Sequence, residues 1–309
     1  MMRRLTAAAL AALTITGAAC KPAEKPVDPA LAPAVVASPD VHSFRIGVLQ
    51  AYALRDGQMA IPNDNQAFGV GLTPQAVSAA LTAAGQPGGQ IALSLQPLLV
   101  RDGDRIVLID TGAAGEMGTQ GKLMASLKAT GVEPGQVTDI LISHYHGDHI
   151  GGLATKSGAL AFPNATIHVS AGDWAAMQAY PDGQDLVEVI KPKVRPFSPG
   201  EVLTPSITAV TLPGHTEGHT GYEIVSGETR LLYFGDAMHS SALSVGHPEW
   251  TQGWDTDGPA GIATRAALLE RAERDDLMLY GVHFPWPGIG HVKKQGAGYV
   301  WAPETPARR

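Results

Sequence analysis

Short apolar runs alternate with Gly-, Pro- and Asp-rich breaks along most of this chain, and each run predicts an element. Phe44 to Leu54, Leu93 to Val100, Arg105 to Ile109, Val137 to Ile142 and Thr166 to Ser170 read as strands. So do Ile207 to Leu212, Thr220 to Val225, Arg230 to Phe234 and Leu277 to Val282. Asp102-Gly103 marks a hairpin, and Asp110-Thr111-Gly112 a sharp loop after its second strand. Thr73 to Ala84 predicts a helix with Thr73 as N-cap and Pro74 at the first helical position. Helices are also predicted over Gly121 to Thr130, ending at Gly131, and over Ala171 to Tyr180. Another runs from about Gly258 to Asp275, capped by Asp257. Strands mixed with helices and hairpins imply an α/β protein whose sheets are covered by helices on the outside.

The first residues follow a different pattern. Met1-Met2-Arg3-Arg4 is a basic start, and Leu5 to Ala19 is an apolar run too short to span a bilayer. The order of regions is that of a secretory signal over residues 1–19. Gly17-Ala18-Ala19 before Cys20 resembles a bacterial lipoprotein cleavage site, although Gly17 stands where Leu is usual. The expectation is a periplasmic or cell-envelope protein anchored by lipid on Cys20. The alternative is an ordinary signal peptide with an incidental Cys20 and a secreted product. Cys20 is the one cysteine, which excludes an intramolecular disulfide and any thiolate metal site. Residues 20–41 carry Pro22, Pro26, Pro29, Pro33 and Pro39 and read as a spacer without means to form a core. Residues 42–309 are then one domain, and 44% hydrophobic content is ample for its core. The net charge of −7 and the lack of a basic stripe argue against a nucleic-acid partner. A homodimer is allowed by the sequence, which is otherwise silent on oligomeric state.

Chemistry concentrates in His144-Tyr145-His146-Gly147-Asp148-His149, where an apolar strand runs into a tight loop before Gly151-Gly152. His144 and His146 are two apart, so in extended backbone they point the same way and suit Zn²⁺ or a similar metal. Asp148 and His149 turn toward a second point. Three later candidates also sit where a strand meets a Gly-rich loop: His215 in Pro213-Gly214-His215-Thr216, Asp236 after Gly235, and His283 after Gly281-Val282. His144, His146 and His215 make one three-nitrogen site. Asp148, His149 and His283 make the other, and Asp236 can bridge two divalent ions, most simply Zn²⁺. A hydroxide bridging two such ions is a nucleophile at neutral pH.

His-Tyr-His-Gly-Asp-His, the later Pro-Gly-His-Thr, Phe-Gly-Asp and the last His resemble the metallo-β-lactamase superfamily over about residues 44 to 303. The resemblance implies an αβ/βα sandwich with a dinuclear metal site at one rim. Asp236 as a bridge sets the chain apart from true class B β-lactamases. The stretch His283 to Val292 and the segment Asp255-Thr256-Asp257 look like the methyl parathion hydrolase-like branch, with the N-acyl homoserine lactonases as neighbours. The implied reaction is metal-assisted hydrolysis of a lactone or ester, phosphotriesters included, with Asp148 orienting the nucleophile and Asp236 bridging. Hydrolysis of a thioester or β-lactam is the rival, and a non-catalytic zinc-binding surface lipoprotein a third reading. The resemblance makes Asp110 a structural aspartate near the metal loop. His219 and His239 read as supports around the ligands, and His291 as the competitor of His283. His42, His168 and His247 read as structural. Trp174, Phe284 and Trp286 are the expected walls of an apolar substrate pocket.

Overall fold

The computed structural model describes residues 38–304 except Ala297. The expected signal sequence, Cys20 and nearly all of the expected spacer lie outside the described residues. The chain enters at β1 (Val41–Ile46), and Gly47 at φ +56° turns it directly into β2 (Leu49–Leu54). The run expected as one strand from Phe44 to Leu54 is therefore a hairpin. Next come β3 (Gly57–Pro62), α1 (Pro74–Ala83) and β4 (Gln90–Leu95). Thr73 caps α1 by accepting from the Ala76 N–H, as its position predicts.

The apolar run from Leu93 to Val100 also breaks in two. Gln96-Pro97 separates β4 from β5 (Leu98–Asp102), because Pro97 cannot donate to a ladder. There follow β6 (Arg105–Ile109), α2 (Leu123–Ala129), β7 (Asp139–Leu141), the one-turn α3 (Gly147–Ile150), β8 (Thr166–Ser170), α4 (Ala171–Ala179), α5 (Gln184–Ile190) and β9 (Val194–Phe197). The second half runs β10 (Val202–Thr204), β11 (Ile207–Thr211), β12 (Thr220–Ser226), β13 (Thr229–Tyr233), α6 (Leu243–Gly246), α7 (Gly258–Arg274), β14 (Met278–Tyr280), β15 (Ile289–Gln295) and β16 (Gly298–Pro303).

Two seven-stranded mixed sheets result, in the orders β1-β2-β5-β6-β7-β8-β9 and β10-β11-β12-β13-β14-β15-β16. They face each other. Leu98, Val100, Val107 and Ile109 of the first pack with Ala209, Ile224, Leu231 and Tyr280 of the second. The alternate residues Leu99 and Leu108 point the other way, to Leu127 of α2, Met177 of α4 and Ile190 of α5. Both faces of these central strands are buried, which is why the sequence runs apolar there without alternation. On the far side, Leu268 and Leu269 of α7 pack on Leu232 and Leu279. The fold is the expected αβ/βα sandwich.

The topology aims five strands at one rim. β6 runs parallel to β7, and β13 runs parallel to β14. The loops that leave the C-terminal ends of β6, β7, β11, β13 and β14 carry Asp110, His144 to His149, His215, Asp236 and His283 respectively. A separate ribbon, β3 with β4, lies over this rim. Met59 pairs with Leu93, and Ile61 with Ile91. α1 backs the ribbon through Val77 and Leu81.

Candidate metal centre

The donors are gathered in two groups. His144, His146, His215 and Asp236 form one, with ligand atoms within 4.8 Å of one another; Asp148, His149 and His283 form the other. His146 Nδ1 lies 3.0 Å from His144 Nε2 and 2.9 Å from His215 Nε2. The carboxylate of Asp236 stands between the groups. Its Oδ2 is 3.5 Å from His144 Nε2 and 3.4 Å from His215 Nε2. Its Oδ1 is 3.4 Å from His149 Nε2 and 3.1 Å from His283 Nε2. One oxygen thus faces each half-site, as the bridging assignment requires.

The surroundings fix which nitrogen of each ring faces inward. His149 Nδ1 donates to Asp110 Oδ2 at 2.8 Å, and His283 Nδ1 donates to the Ser94 carbonyl at 2.9 Å. Their Nε2 atoms are left bare, buried and without a hydrogen-bond partner, as is Asp236 Oδ1. Three orphaned acceptors pointing at one another are costly unless a cation binds them. The residues therefore fit a divalent metal pair, and all-nitrogen and -oxygen donors suit zinc.

Charge follows the same division. Burial favours neutral imidazoles and holds His144 well below its usual pKa, with His149 and His215 adding repulsion. Burial likewise brings His215 down to about 3. On the other half-site burial is outweighed: Asp236, Asp148 and Asp110 push His149 up, and Asp236 and Asp148 raise His283. That half-site carries the excess of negative charge which a metal ion would neutralise. Asp236 itself is held well below the carboxylate range despite burial, by His149, His283, His239 and His144.

Asp110 accepts four hydrogen bonds, from the Ser143 N–H and hydroxyl, from Tyr233 and from His149. Its φ of +59° aims the side chain back under the metal loop. His219 is not a ligand in this geometry. It donates from Nδ1 to the Leu212 carbonyl and accepts at Nε2 from the Asp236 N–H, both at 2.9 Å. Burial brings it down to about 4, consistent with a neutral acceptor. His239 Nε2 lies 3.0 Å from Asp236 Oδ2. His291 is remote from the centre and faces Asp276 and Glu304.

A cavity of about 450 Å³ opens above the donors. Its apolar wall comes from Met59, Ile61 and Leu93 of the ribbon, with Met117 and Trp254. The three side chains expected there lie elsewhere. Phe284 is fully buried against Phe234 and Trp301. Trp286 packs on the intersheet core beneath the Arg55 guanidinium, 4.4 Å from the ring centroid. Trp174 packs on the helical side of the first sheet. For Phe284 and Trp286, nearness in sequence to His283 misled because both side chains turn into the core, whereas Trp174 stays packed with its own helix. Its helix neighbour Asp173 instead braces the His215 loop, accepting from Thr216 and the Gly218 N–H, and burial raises it to about 6.

Sequence reasoning also missed Asp255 and Arg265 as supports. Asp255 Oδ1 lies 3.4 Å from His215 Nδ1, and its other oxygen accepts from Arg265 at 2.7 Å. Only the residue type, an Arg on the apolar stripe of α7, signalled it.

The pattern of the Metallo-beta-lactamase superfamily matches residues 97–283. The chain belongs to that superfamily. Among solved structures it is similar to AidC, a dizinc quorum-quenching lactonase in complex with a product, at 28% identity and TM-score 0.80, covering 87% of this chain and 98% of that one. It is also similar to the hydrolase AbOPH, at 27% identity and TM-score 0.78, covering 86% and 98%. A probable metallo-hydrolase of Mycobacterium tuberculosis is 27% identical over 48% of this chain and 58% of its own length. A hydroxyacylglutathione hydrolase of Pseudomonas entomophila is 32% identical over 38% of this chain and 42% of its own length. The matches thus span about half the length of these curated relatives.

Proposed function

We propose that the chain is a metal-dependent hydrolase that opens a lactone or cleaves a carboxylic ester at a dinuclear centre. The observation that carries the reading is the placement of two donor groups, joined by Asp236, on the floor of an apolar-walled cavity. The likeness to a dizinc lactonase supports it. His144, His146 and His215 would hold one ion, Asp148, His149 and His283 the other, and Asp236 both. Bound there, two divalent ions would ionise water near neutral pH and polarise the substrate's carbonyl oxygen. The chain's own residues do the rest. Met59, Ile61, Leu93 and Trp254 receive the apolar part of the substrate and exclude water from the reacting carbon. Asp148 lines the cavity floor, where its carboxylate accepts a hydrogen bond from the attacking water and carries the proton toward the leaving oxygen. Asp110, Ser94 and Asp255 keep the imidazoles aimed.

A glutathione thioester is less well served. Among the described residues lining the cavity there is no Lys or Arg to meet its carboxylates. The open cavity also argues against simple zinc storage. A panel of an acyl homoserine lactone, an aryl ester, a phosphotriester, a cephalosporin and a glutathione thioester tests the reading. Lactone or ester turnover is expected to dominate, and no turnover of either would sink it. We further propose export, with residues 1–19 as signal and lipid on Cys20. Equal fatty-acid labelling of wild type and Cys20→Ser would refute the lipid.

A further inference from the structure

His239 stands at the end of a buried hydrogen-bond chain that determines which of its nitrogens carries the proton. The chain begins at Arg265, fully buried on α7. A guanidinium only donates. Arg265 reaches Asp255 Oδ2 at 2.7 Å and the carbonyls of Pro248 and Trp250 at 3.2 and 3.1 Å. Its Nε and Nη1 also lie 3.2 Å from one end of the Gln252 amide, so that end is the oxygen. Ser244 gives the same answer independently. Its Oγ accepts from the N–H groups of His239 and Ser240 at 3.2 and 3.1 Å, which leaves its proton to donate to Gln252 at 3.2 Å. The other end of the amide, the nitrogen, therefore donates to His239 Nδ1 at 2.7 Å. An Nδ1 that accepts has no proton, so the ring is neutral and protonated on Nε2.

This is opposite to His149 and His283, whose Nδ1–H groups are donated outward and whose Nε2 atoms are bare. His239 Nε2 is buried and belongs to the cavity wall; Asp236 Oδ2 lies 3.0 Å away but is not aligned to accept its proton. The edge of Phe68 and the ring of Trp254 fix its plane from the other sides.

We propose that His239 is a non-ligating N–H donor aimed into the active site, locked in its Nε2–H tautomer by Gln252, Ser244 and Arg265, and that it hydrogen-bonds an acceptor oxygen of the bound lactone or ester. The substrate part rests on the functional reading above; the tautomer does not. It makes His239 a specificity-determining residue, because a substrate with an acceptor at that point gains a hydrogen bond that one without it does not.

Zinc-loaded protein labelled with ¹⁵N-histidine provides the test. The His239 signals, identified by their loss in His239→Leu, are expected to show a protonated Nε2 and a bare Nδ1. A protonated Nδ1, or a zinc-bound Nε2, overturns the proposal. Gln252→Glu replaces the amide donor with an acceptor and should move the proton to Nδ1; an unchanged pattern there removes Gln252 from the mechanism. His239→Leu should keep the wild-type zinc content and lose about 10- to 100-fold in kcat/KM on the preferred substrate. Loss of one zinc, or an unchanged kcat/KM, refutes the corresponding half. If wild type hydrolyses nothing in the panel, the functional reading fails, and the spectrum still decides the tautomer.

Discussion

His149 and Asp110 are joined by a 2.8 Å hydrogen bond that ties the second half-site to the end of β6. The same carboxylate accepts from Tyr233 of the opposite sheet at 2.6 Å. Asp110 therefore holds a metal-facing imidazole and links the two sheets at the rim. Asp110→Asn keeps the shape but turns an amide nitrogen toward donors. Metal affinity should fall about 10- to 100-fold, with a stability loss of at least about 2 kcal/mol. Competition with a fluorescent zinc chelator and denaturant titration measure the two effects. Unchanged zinc affinity would show that Asp110 is only a sheet clamp.

Gly214 allows His215 to reach the centre. At φ +127° its backbone passes so close to α7 that a Cβ would sit 2.2 Å from the Gly261 nitrogen. That neighbour is helix backbone and cannot swing away. Gly214→Ala should cost on the order of 2–5 kcal/mol, combining backbone strain with overpacking. The displaced His215 should also weaken zinc binding. A melting temperature and zinc content equal to wild type would contradict this packing.

The side chains that gather at the centre were legible because they fall in one compact motif and at three strand-to-glycine junctions, all local signals. His144 to His149 needed no tertiary information. The supports around them were not legible: Ser94 offers a backbone carbonyl, Gln252 acts through an amide orientation, and Arg265 reads as an ordinary helix charge. The same limit explains the elements. α1 and β8 follow from a cap and an apolar run. β3 and β15 lack a continuous apolar pattern, because β3 alternates half-buried with exposed positions and β15 ends in exposed Lys293, Lys294 and Gln295. The cavity wall was missed for a related reason. Met59 and Leu93 are brought over the centre by a ribbon whose partner strand lies on the far side of α1 in sequence.

That ribbon predicts selectivity. Trp254 packs edge-on against Phe68 and lines the cavity. Trp254→Ala removes apolar wall, and the ring beside His239, without removing any of the seven metal-facing side chains. On the proposed lactone or ester reading, KM for an acyl substrate should rise roughly 10- to 100-fold, the range for losing an aromatic contact of about 1.5–3 kcal/mol. Discrimination between short and long acyl chains should weaken. A chain-length series measured on both proteins checks it; parallel series would exclude Trp254 from the acyl site.

Metal removal should lower stability strongly. The folded chain presents preassembled donors, whereas the unfolded chain does not. Zinc at 1,000 times its dissociation constant would contribute about 4 kcal/mol. For a domain of this size that corresponds to roughly 10 °C in Tm. Scanning calorimetry with and without a chelator, followed by zinc restoration, measures it. A chelated protein with unchanged Tm would mean that the donor groups do not hold metal in solution.

Acid stability should depend on a carboxylate far from the centre. Asp139, at the start of β7, is buried, which alone would raise its pKa. His168 at 3.0 Å, Thr138 and the paired contact of Arg105 outweigh burial and bring it to about 2. Its folded pKa is thus below the unfolded value of 3.8, so the unfolded chain takes up the proton first. The stabilisation, about 2 kcal/mol, is complete above pH ~4–5 and disappears as pH falls through about 2. Asp139→Asn should lose that amount at neutral pH and show a flatter stability curve between pH ~4 and ~2. Urea midpoints taken across this range test the sign. A variant whose curve steepens on acidification, or one that parallels wild type, would show that the Asp139 cluster does not govern acid unfolding.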